Sequence, residues 1–416
     1  MRTKLNPKDI CYILFSITLF LPNHKNIFYI GMMLCLGMTI IFGEKCKIIK
    51  IKLSICTIFY VLTYVGSYFI HFYSKSIIYS ILFVIEFVGI LYLIESLTQS
   101  EDDLDNLISA IVIVSAVYSV FGIFESITSI NIFDIIFDRI PETSLAAVRF
   151  GLTRNRGCAT VSINNGMLIF FCLSLALIKI LKENCKLLYK LCYAIIFLNL
   201  ILILSRAVTV MALITQIVSF ILIKKSLTIR RETLIKSFLS FTIFAIVLSI
   251  GIYKNPELFN GIISFFSSID LTGTNYNSAN LGNFSQRLLL WGWVYDYIKN
   301  NLLWGIGFTT EFSVALNLYN FKTSIEVHWL YIAFQKGIFG LAGFILLQLS
   351  TIIKGFKLKA VNDNVKAFKV IVIISLLAYY IMLFSCSGFE DLRMFYVFIA
   401  LIAVRTSLNN KTTIIN

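Results

Sequence analysis

The stretch LGNFSQRLLLWGWVYDYIKNNLLWGIG, residues 281–307, is the centre of a segment of about seventy residues that runs from Lys254 to His328. Long apolar runs flank this segment on both sides, whereas the segment itself is not a membrane span. A loop of this length within a compact membrane domain is more often functional than connective. We therefore expect the apolar runs to form a scaffold that holds this loop over a site in the membrane.

The composition places the whole chain, residues 1–416, in a single integral membrane domain. It is 58% hydrophobic and 14% charged, with a mean hydropathy of +0.85, and a soluble domain needs far more polar surface. Apolar runs of about 17 to 25 residues predict membrane-spanning helices. The sequence thus predicts an all-α polytopic membrane protein with about twelve transmembrane helices. They lie near residues 9–22, 26–43, 53–71, 76–96, 106–128, 161–180, 187–204, 207–223, 234–253, 328–353, 368–386 and 389–405. The first run has no small-residue cleavage site after it, so we keep it as a span.

The basic residues predict the orientation of these spans. Alternate segments on the side of the termini hold 23 Lys and Arg residues, and the opposite side holds 11. Cytoplasmic loops carry the excess of positive charge, so both termini are predicted to be cytoplasmic. Residues 254–327 then form a large extracytoplasmic loop and residues 129–160 a second outer loop. The net charge of +14 is explained by topology and does not indicate nucleic acid.

Arginine is unevenly divided between the two sides. It supplies 4 of the 23 basic residues on the cytoplasmic side but 6 of the 11 on the outer side. Topology requires only positive charge, whereas a guanidinium is favoured where planar contact with phosphate or carboxylate is needed. The outer face is therefore predicted to bind an anion. The alternative is that these arginines anchor at lipid headgroups.

The second outer loop contains Arg149, Arg154 and Arg156 within eight residues, followed by Asn164 and Asn165 at the start of a span. Guanidinium groups and nearby glycine N–H groups can surround an anion. Polar residues just inside a span usually face the bundle interior or a cavity. We predict that these five residues bind substrate.

Arg206 lies between two spans with no acidic residue within five positions, so it needs an anionic partner or a path to the membrane interface. Arg287 falls near the start of a predicted helix, residues 284–299, that is rich in Trp and Tyr. These aromatic residues suit either an interfacial belt or stacking on sugar rings.

His328 enters a span directly beneath the long loop, beside Glu326. Imidazole suits a general base near neutral pH, although a histidine that caps a helix would give the same pattern. Glu326 would either orient His328 or face water. No outer segment contains Asp-x-Asp, and the nine Cys residues show no metal-ligand spacing, so neither a metal nor a cofactor is predicted.

An ordered set of short motifs across residues 149–346 resembles the superfamily of O-antigen polymerases and O-antigen ligases. The motifs are Gly157, Asn164-Asn165, Ser205-Arg206-Ala207, Ser285-Gln286-Arg287, Asn301-Leu-Leu-Trp-Gly305-Ile-Gly307, Val327-His328 and Lys336-Gly-Ile-Phe-Gly340. Trp329 follows the histidine here, where the family often has Asn.

This resemblance implies a GT-C-like fold and a bacterial inner-membrane glycosyltransferase of lipopolysaccharide or polysaccharide biosynthesis. The implied donor is a glycan on undecaprenyl diphosphate, transferred with inversion on the outer face and without a metal. Arg206 and Arg287 would hold the diphosphate with help from Arg154 and Arg156, and His328 would be the catalytic base.

The resemblance favours a polymerase, whose acceptor is a second lipid-linked repeat unit, over a ligase that transfers the glycan to lipid A-core. It makes membrane lipid and a chain-length regulator protein candidate partners. A flippase for lipid-linked oligosaccharides is the hypothesis from another class. Many transporters show a repeat between the two halves of the sequence, and this sequence shows none, which argues against a flippase.

Overall fold

The computed structural model describes residues 7–42, 54–70, 76–139, 148–149, 152–181, 186–226, 295–296, 298–307, 327–360, 362–384 and 392–415. Within these ranges the chain is almost entirely helical. The helices are α1 (Pro7–Leu19), α2 (Ile27–Ile41), α3 (Ile55–Ile70), α4 (Ser76–Leu97), α5 (Glu101–Thr128), α6 (Ile132–Phe137), α7 (Ser162–Ile180), α8 (Leu187–Leu202), α9 (Arg206–Ser226), α10 (His328–Lys357), α11 (Asp363–Met382) and α12 (Leu392–Ile415). Two strands, β1 (Val148–Arg149) and β2 (Leu152–Thr153), form a short antiparallel hairpin, and 3-10 turns occupy His24–Asn26 and Lys299–Asn301.

Seven of the described helices are long and apolar enough to cross a membrane, and three shorter helices are apolar as well. The seven candidate spans are His24–Ile41, Ile77–Leu97, Glu101–Thr128, Ser162–Ile180, His328–Lys357, Asp363–Met382 and Leu392–Asn409. The prediction of an all-α polytopic membrane protein is confirmed. Eleven of the twelve predicted runs coincide with a helix, while the run at 234–253 and most of the loop 254–327 lie outside the described residues.

Capping explains where two helices begin earlier than their apolar runs. The Ser100 hydroxyl accepts a hydrogen bond from the N–H of Asp103, and the Asp103 carboxylate accepts one from the N–H of Ser100. The Asn362 side chain likewise accepts from the N–H of Val365 at the start of α11. Such side chains satisfy N–H groups that the first helical turn leaves unpaired.

The helix ends sort into two groups that alternate along the chain. At one end, which we call the inner end, the acidic start of α5 pairs with three other helices. The ion pairs are Lys8–Asp103 at 2.7 Å, Lys179–Asp105 at 2.7 Å and Arg405–Glu101. Carboxylates at a helix N-terminus are also favoured by the helix dipole.

At the opposite end, which we call the outer end, the start of α12 joins the α1–α2 turn. The Arg393 guanidinium donates to the carbonyl oxygens of Leu19 and Leu21 and to the side chain of Asn23. The start of α10 joins the end of α11 through the His328 N–H and the Leu383 oxygen, 3.0 Å apart. Residues predicted to share one side of the membrane therefore lie together.

Helix α7 occupies the middle of the bundle. Of its nineteen residues, only Ile163 and Ile180 are not buried. It packs against α5, α8, α9, α11 and α12. An apolar sequence on every face is typical of a helix enclosed by others. This central position holds Asn164 and Asn165, at the start of α7, inside the outer end of the bundle.

Candidate active site

Helix α10 is broken at Gly337, where φ is +64° and ψ is −164°. The break leaves the carbonyl groups of Phe334 and Gln335 and the N–H groups of Ile338 and Phe339 without helical partners. Unsatisfied backbone groups are costly in an apolar environment, so a break of this kind needs partners from elsewhere in the chain.

Residues 302–307 of the long loop supply those partners. The N–H groups of Ile306 and Gly307 donate to the oxygens of Phe334 and Gln335, at 2.9 and 3.0 Å. The carbonyl oxygens of Leu302 and Leu303 accept from the N–H groups of Ile338 and Phe339, at 2.9 and 3.1 Å. Four backbone hydrogen bonds thus insert this loop segment into the broken helix.

A serine on α3 completes the junction between the loop and the broken helix. The Ser67 hydroxyl lies 3.2 Å from the oxygen of Trp304 and 3.1 Å from the oxygen of Gln335. The Trp304 ring packs on the ring of Phe339 and lies close to Gly66. The loop, α3 and α10 therefore meet at one point.

Lys336, the residue before the break, points into the bundle. Its side chain is fully buried, and Nζ lies 4.1 Å from the ring centre of Tyr64 and 3.2 Å from that of Tyr68. Both tyrosines belong to α3. These cation–π contacts stabilise the ammonium group, although Nζ makes no hydrogen bond.

His328 lies at the outer start of the same helix and is 2% exposed. Its imidazole packs edge-on against Phe344, with ring centres 5.5 Å apart. A small cavity connects it with Lys336, and its wall is formed by Tyr60, Tyr64, His328, Tyr331, Ile332, Gln335, Lys336 and Leu392. The predicted general base and the buried lysine therefore share one cavity.

The second outer loop packs on the ends of α5 and α7. The Asn165 amide donates to Asn155 at 2.6 Å, and its oxygen accepts from the Tyr118 hydroxyl at 2.6 Å. Asn164 is 3% exposed, and its Oδ1 has no hydrogen-bond partner. Asn165 therefore holds the loop in place, whereas Asn164 keeps an acceptor available.

A buried carboxylate shapes the backbone of this loop. Glu125 accepts hydrogen bonds from the N–H groups of Arg156 and Gly157, at 3.1 and 3.0 Å, and from the Asn131 side chain at 2.9 Å. The Arg156 guanidinium pairs with Asp134. One of the arginines predicted to bind substrate thus already has an anionic partner within the protein.

Arg154 points toward the corner that precedes α9. Its Nε lies 3.5 Å from the carbonyl oxygen of Ile203, three residues before Arg206. Arg206 is the first residue of α9, and only the backbone of Arg206 and of Arg149 is described. The structure therefore brings Arg154 close to the chain at Arg206.

Two of the predicted site residues, Arg287 and Glu326, lie outside the described residues. In the sequence, Lys336 stands out only as part of the motif Lys336-Gly-Ile-Phe-Gly340, and its link to the His328 cavity is visible only in the structure. The signal that was available was Lys336-Gly337 within an otherwise apolar run. Within the described ranges, no three His, Cys, Asp or Glu side chains gather as a metal site would require.

Residues 191–345 match a family model described as O-antigen ligase. This similarity supports the O-antigen ligase and polymerase superfamily for this part of the chain. A search of curated proteins found no match. The matched region includes Arg206, Arg287, His328 and the broken part of α10, and two of its residues, His328 and Lys336, line the cavity. The match supports a glycosyltransferase-type membrane enzyme that acts in glycan assembly on lipid-linked substrates.

Proposed function

We propose that the protein is a polymerase that joins lipid-linked oligosaccharide repeat units on the outer face of a bacterial cytoplasmic membrane. The donor is a glycan on undecaprenyl diphosphate, and the acceptor is a sugar hydroxyl of a second lipid-linked unit. The observation that carries the glycosyltransferase part of the proposal is the family match, because residues 191–345 contain Arg206, Arg287 and His328 in the expected order. The choice of a polymerase rests on the resemblance of the sequence motifs.

The proposed reaction is a single displacement with inversion. The acceptor oxygen attacks the anomeric carbon of the donor, and the bond from that carbon to the diphosphate oxygen breaks. His328 takes the proton of the acceptor hydroxyl, and undecaprenyl diphosphate leaves as an anion. Arg206 and Arg287 stabilise the charge that develops on the leaving group. No metal or nucleotide sugar is required in this scheme.

The described geometry supports parts of this scheme. The backbone of His328 is anchored to α11, and its side chain borders the cavity, which the acceptor hydroxyl would have to enter. Arg154 lies at the corner before Arg206, which suits a supporting contact with the same diphosphate. Asn164 offers a buried acceptor for a sugar hydroxyl. Arg149, Arg156, Asn165 and Glu326 remain candidates for substrate binding.

A ligase is the second candidate, because the matching family model carries that description. A ligase transfers the glycan to lipid A-core and needs only one polyprenyl-linked substrate. A deletion strain separates the two: single-unit caps persist on lipopolysaccharide when a polymerase is lost and disappear when a ligase is lost.

The decisive experiment uses purified protein, purified lipid-linked repeat unit and no energy source. Longer lipid-linked chains are expected as the product. A protein that produces no longer chain, but moves the substrate across a vesicle membrane, would be a transporter, and the proposal would be wrong.

A further inference from the structure

We propose that Lys336 forms a buried anion subsite that receives a phosphate oxygen of the lipid-linked substrate, in the cavity it shares with His328. This inference rests on the proposed function for the identity of the ligand. The anion subsite itself rests on contacts within the described residues.

Lys336 is exceptional among the buried basic side chains of the described chain. Six such side chains are buried, and five have an oxygen acceptor: Arg154, Arg156, Lys179, Arg393 and Arg405. The Nζ of Lys336 has no hydrogen-bond acceptor, and no described carboxylate oxygen lies within the 4.0 Å ion-pair distance. Buried charges are normally paired, because removing an ion from water is costly.

Lys179 provides an internal comparison at the inner end of the bundle. It is 3% exposed and lies over a tyrosine ring, with Nζ 4.7 Å from the ring centre of Tyr189. Unlike Lys336, it also has a carboxylate partner, Asp105, at 2.7 Å. Lys179 thus has both a tyrosine ring and a counter-ion, whereas Lys336 has only tyrosine rings.

The helix break cannot provide the missing acceptor. The carbonyl oxygens of Phe334 and Gln335, which the break leaves open, already accept hydrogen bonds from Ile306 and Gly307. The Gln335 side-chain amide donates to the Tyr331 hydroxyl. The backbone around Lys336 is therefore committed to holding the loop segment, and its ammonium group remains available to a ligand.

The charge of the cavity selects an anion. Its other polar lining groups are tyrosine hydroxyls, the Gln335 amide and the His328 imidazole, none of which carries negative charge at neutral pH. An ammonium group in a lining without negative charge attracts an oxyanion. In an inverting displacement the diphosphate leaves on the side of the anomeric carbon opposite the acceptor hydroxyl. The anion expected at Lys336 is therefore the departing diphosphate, across the reacting sugar from His328.

The test compares Lys336→Met with Lys179→Met in the purified full-length protein. Methionine keeps the length and apolar stem of lysine but removes its charge. Binding of undecaprenyl diphosphate is measured by native mass spectrometry, with inorganic pyrophosphate as competitor. We expect Lys336→Met to bind undecaprenyl diphosphate about tenfold or more weakly than the wild type, because a charge-assisted contact disappears. Inorganic pyrophosphate should no longer compete with the lipid for binding to this variant. Lys179→Met should bind like the wild type.

Equal binding by the wild type and Lys336→Met would overturn the inference and leave packing on Tyr64 and Tyr68 as the role of this lysine. If the wild type polymerises but Lys336→Met binds normally, the inference fails and the polymerase proposal stands. If the wild type makes no polymer but Lys336→Met loses diphosphate binding, the polymerase proposal fails and the anion subsite stands.

A measurement on the wild type covers the case in which Lys336→Met does not fold. In a structure of the wild type with undecaprenyl diphosphate, a phosphate oxygen should lie about 3 Å from Nζ of Lys336. A diphosphate bound without any contact to that atom would overturn the inference.

Discussion

Gly305 and Gly337 meet backbone to backbone at the break in α10. A Cβ atom on Gly305 would lie 2.6 Å from the nitrogen of Gly337, and one on Gly337 would lie 2.5 Å from the nitrogen of Gly305. Both residues have positive φ, of +70° and +64°. Only glycine combines this backbone conformation with such a close approach.

Replacing either glycine should therefore destabilise the protein. We expect the strained φ alone to lower the free energy of unfolding of Gly305→Ala and of Gly337→Ala by about 1–3 kcal/mol. The steric overlap of the new Cβ atom should lower it further. The measurement is the thermal unfolding midpoint of the purified protein. Gly37→Ala is the matched control. Gly37 lies in helix α2, and a Cβ atom at that position meets nothing within 4 Å. Midpoints for Gly337→Ala equal to that control would contradict the described junction.

The outer arginines are expected to control polymer formation. Arg206→Ala and Arg287→Ala should abolish long-chain polymer while lipid-linked single units remain, because the leaving diphosphate loses its positive partners. Chain-length ladders on gels provide the measurement. Lys25→Ala is the control at the same end of the bundle, since its ion pair with Asp138 is solvent-exposed and contributes little. Unchanged ladders in the Arg206 and Arg287 variants would refute their assignment.

His328 should affect the chemical step more than binding. His328→Gln is expected to lower kcat by about 10²–10⁴-fold, the usual contribution of a general base, with little change in KM. The backbone hydrogen bond to Leu383 does not depend on the side chain, so the fold should persist. Steady-state kinetics report the role of His328 in the chemical step, and thermal unfolding reports its role in stability. A loss of stability with normal kcat would instead leave packing against Phe344 as the role of the His328 side chain.

Arg154 and Arg156 should behave differently although they are two residues apart. Arg156 pairs with Asp134, so Arg156→Ala should mainly lower stability. Asp134→Asn should lower stability further, because Asp134 also pairs with Arg139. The Arg154 guanidinium reaches toward Ile203, so Arg154→Ala should mainly raise KM for the lipid-linked donor. KM and unfolding midpoints measured for all three variants test this division. A raised KM for Arg156→Ala at unchanged stability would instead support its predicted contact with substrate.

Much of the helical scaffold could be predicted because each apolar span satisfies its own backbone hydrogen bonds. Local signals also predicted a tight turn that contains Arg206, between runs ending at 204 and beginning at 207. In the structure α8 ends at Leu202 and α9 begins at Arg206 itself. The alternation of the spans predicted which helix ends lie together, and the contacts at Asp103 and Arg393 agree with it. The motifs of the superfamily were likewise visible in the sequence, and the family match confirms that resemblance over residues 191–345.

Interactions between distant residues required the tertiary structure. The run 328–353 looks continuous in sequence, but α10 breaks at Gly337 because its hydrogen-bond partners lie about thirty residues earlier, in 302–307. Arg156 looks available for substrate until Asp134, on helix α6, is seen beside it. Hydropathy thus determines where the chain crosses the membrane, since that depends on each segment's own solvation. Which buried charge has a partner and which faces a cavity depends on how the helices pack, and only the folded structure decides that.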